Sequence, residues 1–316
     1  TELYGMDVAN AGMYEGGSSL AEAALMACRV KNIYKVACLS TIAPRYKEVL
    51  RSYLTPQSIE IVFMDTNDVD MKKDEYACLI VQYPNFYGSI EDMRALSDTA
   101  HKSNSLFVVS ADPLAAVMYK APGDYGADIV VGEGQGLGIP ISFGGPYIGL
   151  FACKSEYLRQ MPGRIVGKTV DKRGDSAFVL TLQTREQHIR RERATSNICT
   201  SEALMGLMMT IYVATLGKSG LQQVASSCFH NAHYAAQQIS KIDGFRLINS
   251  HPFFNEFVIA CPISPKIINK KLIEVGIIGG LDVSDQFDNG ILFCFTEIHS
   301  KESIDSLVNN LKQVSR

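Results

Sequence analysis

A carboxylate and a glycine-rich turn follow two neighbouring apolar runs of the sequence. Asp112 comes just after the run Leu106–Ser110. A segment rich in glycine and proline, Val131–Pro146, follows the run Ala127–Val131. Apolar runs of this kind predict buried strands. Because ligands of parallel α/β sheets bind beyond the carboxyl ends of the strands, we expect Asp112 and Gln135 of the turn at a ligand site.

Two common nucleotide-binding loops do not match the glycine-rich segment. The dinucleotide fingerprint G-x-G-x-x-G fails because Leu137 and Ile139 stand where its third glycine belongs. The helix that the fingerprint requires is also excluded, since Pro140, Gly144 and Pro146 interrupt the segment. The Walker pattern G-x-x-x-x-G-K-[ST] is absent from the chain. A purely structural turn remains an alternative.

A second glycine-rich segment leads into a predicted helix. The residues Gly16–Ser19 precede the apolar stretch Leu20–Val30. Free N–H groups at a helix N-terminus suit a phosphate, but ordinary capping by either serine is an equally good interpretation. Asp112 carries a similar ambiguity, because a carboxylate just ahead of Pro113 can simply cap a turn.

The composition is that of an ordinary globular chain and excludes several classes of protein. The 316 residues are 47% hydrophobic and 20% charged, with net charge −3 and a pI near 6.1. This balance gives no reason to expect a nucleic acid partner. We find no run of about 18 apolar residues and no signal-peptide pattern, so we expect no membrane segment and a cytoplasmic protein.

The cysteines and histidines predict neither disulfides nor a metal site. The eight cysteines include no C-x-x-C pair, which favours reduced thiols. Those expected inside core strands or helices are Cys38, Cys78, Cys153, Cys261 and Cys294. Among the histidines, His230 and His233 are the only close pair, and no acidic or Cys partner shares their helix face.

Strands and helices are predicted to alternate through the first two thirds of the chain. The expected strands are Val36–Leu39, Ile59–Met64, Ala77–Gln82, Leu106–Val109, Ile129–Val131 and Tyr147–Ala152. The expected helices are Leu20–Val30, Pro44–Leu54 and Ser89–Ser103, the last capped by Ser89. This alternation predicts a mostly parallel sheet with helices on both faces.

The character of the chain changes after Arg164. Charged residues become frequent, and arginines occupy positions 185, 190, 191 and 193. A long helical region with a break at Gly217 follows, and then an α+β pattern whose last helix, Lys301–Val314, Ser300 can cap. These changes predict a large α/β domain over residues 1–217 and a small α+β domain over residues 218–316.

Three long motifs carry a family resemblance that covers essentially the whole chain. They are Gly5–Gly17 (GMDVANAGMYEGG), the glycine-rich segment Val131–Pro146 and Leu182–Thr200 (LQTREQHIRRERATSNICT). In these motifs the chain resembles the P-protein of the glycine cleavage system, and more narrowly subunit 1 of its two-subunit bacterial form. The resemblance also implies a further family segment ahead of Gly5, so we expect this chain to be a shortened form.

The resemblance implies a fold and a chemistry. The fold is α/β and aspartate-aminotransferase-like (PLP fold type I), with a three-layer α/β/α large domain and a small C-terminal α+β domain. The family decarboxylates glycine through an imine of pyridoxal 5'-phosphate (PLP) and passes the aminomethyl group to the lipoyl group of the H-protein. Its catalytic subunit carries the Schiff-base lysine on the glycine-rich turn. Counting back from Ile139 and Pro140 places Gln135 at that position.

Partners follow from the missing lysine. A glutamine amide forms no imine, so the resemblance implies that this chain carries no catalytic residue and that subunit 2 of glycine decarboxylase holds the PLP covalently. The expected assembly is a heterotetramer that acts on glycine and on the lipoylated H-protein. We expect the apolar helix Ser201–Leu216 to contact the partner subunit.

The resemblance also suggests roles for particular residues. Residues expected to reach the phosphate of the partner's cofactor are Thr195, Ser196, Asn197 and Arg191. The alternative for this basic segment is a solvated surface. Residues expected to form a vestigial pocket in this chain are Asp112, Gly16, Gly17 and Ser18. A different hypothesis is a non-enzymatic relative of the fold that acts as a regulatory or binding scaffold.

Overall fold

The chain forms two compact units in the computed structural model, which describes residues 1–198 and 201–314. The first unit comprises Thr1–Tyr83 and Asp92–Gly217, and the second comprises Pro84–Glu91 and Lys218–Arg316. The segment Pro84–Glu91 belongs to the second unit because Ser89 forms an antiparallel bridge with Phe253. The sequence did not single out this segment, since its partner lies far along the chain. Cys199 and Thr200, the end of the third motif, lie outside the described residues.

A seven-stranded sheet forms the centre of the first unit. Its strands are β1 (Val8–Ala9), β2 (Lys35–Leu39), β3 (Glu60–Met64), β4 (Cys78–Tyr83), β5 (Leu106–Ala111), β6 (Ile129–Glu133) and β7 (Gly149–Cys153). The order is β1-β7-β6-β5-β4-β2-β3. Strands β2 to β6 are parallel, whereas β7 and β1 are antiparallel to their neighbours. The predicted, mostly parallel sheet is confirmed.

Helices accompany this sheet. They are α1 (Gly16–Lys31), α2 (Pro44–Leu54), α3 (Met93–Lys102), α4 (Pro113–Met118) and the short α5 (Gln187–Arg190). Every residue of α1 from Gly16 to Cys28 is buried, because this helix contacts β5, β6 and β7 and also packs on α2. A helix that is apolar on most of its faces is typical of such a position.

Two helices begin at residues other than those predicted. The N-cap of α1 is Glu15, rather than Ser18 or Ser19, and Glu15 forms a capping box with Ser18. The N-cap of α3 is Asp92, whose carboxylate accepts a hydrogen bond from the first turn at 3.0 Å. The predicted cap, Ser89, was wrong because that residue lies in the segment that belongs to the second unit.

An antiparallel hairpin follows the sheet and was not predicted. Its strands are β8 (Ile165–Val170) and β9 (Ser176–Thr181), and most of their residues are exposed. The turn is tightened by Asp171, whose carboxylate accepts hydrogen bonds from Arg173 N at 2.7 Å and Asp175 N at 3.0 Å. Because the turn is rich in charged residues, the sequence did not indicate the short strands on either side of it.

A long helix, α6 (Ala203–Ile239), begins in the first unit and has non-helical backbone at Gly217 (φ 60°, ψ −172°). The predicted break at Gly217 is therefore confirmed. Among the described residues, α6 is the one helix long and apolar enough to cross a membrane. Length and composition do not distinguish a membrane span from a helix of a soluble protein, so the expected absence of a membrane segment stays a prediction.

The second unit contains a four-stranded antiparallel sheet. Its strands are β10 (Arg246–Leu247), β11 (Glu256–Ala260), β12 (Leu281–Asp282) and β13 (Gly290–Cys294), in the order β10-β11-β13-β12. Helices α7 (Pro265–Glu274) and α8 (Lys301–Val314) share its core, which includes Phe257 and Leu311. Ser300 caps α8 as predicted, because its Oγ accepts a hydrogen bond from Ser303 N at 3.2 Å.

Four of the five cysteines expected in the core are buried, and the prediction for the fifth is wrong. Cys38, Cys78, Cys153 and Cys261 are buried as expected, whereas Cys294 is exposed because the last residue of β13 faces away from the core. The described residues contain no cluster of three or more side chains that could hold a metal ion.

Candidate functional site

Neighbouring strand ends bring Asp112 and Gln135 to one edge of the sheet. Asp112 directly follows β5 and Gln135 lies shortly beyond β6, and these two strands pair in parallel. The N-terminus of α1 reaches the same edge, because Gly16 N donates a hydrogen bond to the Glu133 carboxylate at the end of β6. The residues expected to form a vestigial pocket therefore lie around one edge of the sheet.

Asp112 acts as a helix cap. Its Oδ1 accepts hydrogen bonds from Leu114 N and Ala115 N, both at 2.8 Å, and Asp112 is the N-cap of α4. Asp112 is exposed to solvent. Desolvation of the carboxylate by the neighbouring protein nevertheless raises the pKa of Asp112, and the hydrogen bonds from the two backbone N–H groups offset this shift only in part. Capping accounts for the hydrogen bonds of this carboxylate without a cofactor.

Gln135 is hydrogen-bonded within its own turn. Its backbone N–H donates to Glu133 Oε1 at 2.9 Å, and its side-chain Nε2 donates to Ile139 O at 2.6 Å. Gly134 N closes the turn further by donating to Ile148 O at 2.8 Å. The Gln135 amide therefore holds the shape of the glycine-rich turn and offers no amine for an imine.

Two carboxylates of this chain accept hydrogen bonds from the first backbone N–H groups of α1. Gly16 N donates to Glu133 Oε2 at 2.9 Å. Gly17 N and Ser18 N donate to the two carboxylate oxygens of Glu15, each at 2.5 Å. The Ser18 hydroxyl donates to Glu15 O at 3.1 Å. A helix N-terminus would offer these same backbone donors to a phosphate, and all three are in use.

The surroundings of this helix end are acidic and crowded. Burial raises the pKa of Glu133, and its backbone donors offset this only in part. The Tyr46 hydroxyl occupies the space that a Cβ at Gly16 would need. A phosphate dianion would add negative charge beside Glu15 and Glu133, and like charges oppose one another. PLP therefore does not fit the residues that form this pocket.

Two residues of this site, Glu15 and Glu133, were missed in the sequence. A signal for Glu15 was present, because a carboxylate three residues ahead of Ser18 matches the spacing of a capping box. Glu133 gave no such signal, since its hydrogen-bond partner Gly16 lies 117 residues earlier in the chain. Contacts across that separation do not leave a local pattern.

The basic segment Arg190–Arg193 lies at the surface. Arg190, Arg191 and Arg193 are exposed, and their side chains make no ion pair with any described residue. Arg191 has φ 52° and ψ −120°, a conformation that glycine adopts readily and that strains other residues. Thr195 is half-buried and Asn197 is exposed. This segment thus presents unpaired positive charge to the outside of the first unit.

Ser196 and Arg185 form hydrogen bonds within this chain. Ser196 Oγ accepts a hydrogen bond from Ile198 N at 3.1 Å. Burial raises the pKa of Glu22, and a hydrogen bond from Ser196 offsets part of that shift. The Arg185 guanidinium is buried and donates to Gly163 O at 2.7 Å. Ser196 is therefore engaged within the chain, in contrast to the exposed arginines.

Comparison with known sequences gives consistent relatives. A family model described as glycine cleavage system P-protein matches residues 1–311. The probable glycine dehydrogenase (decarboxylating) subunit 1 of Desulforamulus reducens is 48% identical over 324 residues. That match covers 99% of this chain and 73% of the relative.

Solved structures show the same relationship. The crystal structure of glycine decarboxylase (P-protein) of the glycine cleavage system, in inhibitor-bound form, matches with a TM-score of 0.94 and 40% identity, over 99% of this chain and 73% of that one. Alanine–glyoxylate aminotransferase from Nostoc sp. shares the fold alone, with a TM-score of 0.62 and 16% identity over 96% of this chain and 81% of its own. The predicted aspartate-aminotransferase-like fold is confirmed. The chain belongs to the glycine cleavage system P-protein family.

Proposed function

We propose that this chain is the subunit of glycine decarboxylase that lacks the Schiff-base lysine. In this proposal subunit 2 holds PLP covalently, and the assembled enzyme decarboxylates glycine and transfers the aminomethyl group to the lipoyl group of the H-protein. The observation that carries the proposal is the closed pocket, in which Gln135 offers no amine and two glutamates use the donors of α1. Membership of the P-protein family favours this function over a non-enzymatic scaffold.

The exposed basic segment is the proposed contribution of this chain to the partner's site. Guanidinium groups bind phosphate through forked, charge-assisted hydrogen bonds. Arg191 is exposed, unpaired among the described residues and held in a strained conformation, and backbone strain is common at functional sites. We assign Arg191 and Thr195 to the phosphate of the partner's PLP, with Asn197 as a further polar contact. Ser196 is left out of this assignment, because its hydroxyl already bonds within the chain.

An apolar face at the start of α6 is the proposed contact with subunit 2. Leu204, Leu207 and Ile211 expose 66%, 54% and 57% of their surfaces. Their spacing of three and four residues places them on one side of the helix. Obligate interfaces are apolar and commonly bury more than about 2,000 Å². We propose a heterotetramer with two copies of each subunit, located in the cytoplasm, where cysteine thiols stay reduced.

Glycine–bicarbonate exchange by the co-purified subunits with H-protein tests this proposal. Arg191→Ala and Thr195→Ala should each weaken PLP retention or glycine turnover about ten- to a hundred-fold, the expected loss for one charge-assisted contact of about 1.5–3 kcal/mol. Gln135→Ala should cost far less, since no bond to the cofactor is expected there. Arg173→Ala removes an exposed arginine of the hairpin turn and is the matched control.

Two results would count against the proposal. If Gln135→Ala abolishes exchange while both loop substitutions are silent, the pocket of this chain is the working one and the division of labour is reversed. A monomeric elution profile in the presence of excess subunit 2 would contradict the assembly, whatever the outcome of the exchange assay.

A further inference from the structure

One carboxylate holds together three segments around the pocket. Glu133 accepts hydrogen bonds from Gly16 N at the start of α1, from Gln135 N in the glycine-rich turn and from Ile148 N ahead of β7, at 2.9, 2.9 and 3.4 Å. All three donors are backbone N–H groups, and one of them belongs to a helix N-terminus. This is the donor set by which proteins commonly bind phosphate.

We propose that Glu133 is an internal substitute for phosphate, which closes this pocket to phosphate-bearing ligands and so determines that PLP binds only in the partner's site. The closure concerns this chain alone. The confinement of PLP to the partner rests on the proposed function.

Charge and space both support closure. Glu15 takes the next two N–H groups of α1, at Gly17 and Ser18, so that a phosphate would have to displace two carboxylates. The Tyr46 hydroxyl lies close to Gly16, where a Cβ at that position would collide with it. Because the carboxylates belong to the folded chain, their local concentration is far above that of any dissolved phosphate.

Thermal unfolding of the full chain in inorganic phosphate, compared with chloride at equal ionic strength, tests the closure. Wild-type protein should show no phosphate-specific rise in the unfolding midpoint. Glu133→Ser frees the three donors, so phosphate at about ten times its dissociation constant should raise the midpoint by about 2 °C. Glu274→Ser, which removes an exposed glutamate of α7, controls for net charge and for general salt effects and should behave as wild type.

The outcomes of this experiment test the inference independently of the proposed function. A phosphate-specific rise in the wild type as large as in Glu133→Ser overturns it, as does no rise in a variant whose circular dichroism shows native helix content. If Glu133→Ser fails to fold in either buffer, Glu133→Asn decides, because it keeps a polar side chain at the end of β6 but is uncharged and one methylene shorter. A gain with phosphate then supports the inference and no gain overturns it. Glycine exchange in the assembled enzyme is not involved in this test.

Discussion

Strand β6 has an acidic residue at each end, and the two residues lie in opposite environments. Asp128 precedes the strand, is 3% exposed and accepts hydrogen bonds from His101 Nε2 at 2.8 Å, Lys154 Nζ at 2.5 Å and Phe107 N at 2.8 Å. Burial alone would raise the pKa of Asp128, but these partners outweigh it and the pKa is lowered. Glu133 ends the strand with backbone donors alone, and its pKa is raised.

We interpret this difference as one between a carboxylate that stabilises the fold and a carboxylate that fills the pocket proposed above to be closed. At the amino end of β6, the Lys154 ammonium and the His101 ring contact a buried carboxylate, as is typical of a structural polar cluster. At the carboxyl end, where folds of this type bind ligands, a carboxylate sits among backbone donors and beside another glutamate. The carboxyl end therefore keeps the donor arrangement of a ligand site while the chain itself supplies the anion.

The largest expected effect is at the amino end. Asp128→Ala should lower the free energy of unfolding by about 2–4 kcal/mol, because it leaves Lys154, His101 and a buried N–H without their acceptor. The value stays below that of a wholly buried pair since both Lys154 and His101 reach solvent. Urea unfolding at pH 7 measures it. Asp98→Ala, in the exposed pair with Arg94, is the control and should cost less than about 0.5 kcal/mol.

A smaller effect is expected at the carboxyl end. Glu133→Gln replaces one acceptor oxygen by an NH₂ group that faces a backbone donor, which should cost about 1–2 kcal/mol in the same unfolding experiment. Removal of a charge that burial disfavours limits the loss. Glu274→Gln should stay within about 0.5 kcal/mol of wild type. A loss for Glu133→Gln that exceeds the loss for Asp128→Ala would break the comparison.

The pH dependence should have opposite signs at the two ends. Asp128 stabilises the fold above its unfolded pKa of about 3.9, and this contribution is lost only as the pH falls through its lowered folded pKa. Glu133 has a raised folded pKa, so its ionisation costs stability as the pH rises above about 4.3. The cost of Asp128→Ala should therefore grow as the pH rises from the lowered folded pKa of Asp128 to about 3.9, and the cost of Glu133→Gln should shrink as the pH rises from about 4.3 to the raised folded pKa of Glu133. An increasing cost for Glu133→Gln would contradict this.

The smallest effect is expected at Asp112. Asparagine caps helices nearly as well as aspartate, so Asp112→Asn should change stability by less than about 0.5 kcal/mol, whereas Asp112→Ala should cost about 1 kcal/mol. Glycine exchange by the assembled enzyme should be unaffected by Asp112→Asn. Loss of exchange in a stable Asp112→Asn enzyme would instead indicate that this carboxylate contacts a cofactor.

The sequence predicted what depends on local patterns. Near-continuous apolar runs identified the strands of the first sheet, and strand ends placed Asp112 and Gln135 at one edge. Contacts between distant segments were not predictable in this way. They include the bond from Gly16 to Glu133 and the pairing of Ser89 with Phe253, which moved a helix start.

The role of Ser196 shows the same limit. Its position in a polar loop ahead of a helix suggested an outward role, yet its hydroxyl bonds to Glu22, a buried residue of α1. Only the fold places that carboxylate beside the loop. The neighbouring arginines could be predicted as exposed, because apolar residues around them do not recur with the spacing of a buried helix or strand face.

Borohydride reduction of the enzyme assembled from both subunits, followed by peptide mass spectrometry, tests the central claim most directly. The claim is that this chain holds no PLP of its own. We predict a stoichiometric pyridoxyl adduct on subunit 2 and none on this chain, whose Gln135 has no amine and whose Lys154 is bound to Asp128 at the amino end of β6. A stoichiometric adduct on Lys154 or Lys120 would contradict the account.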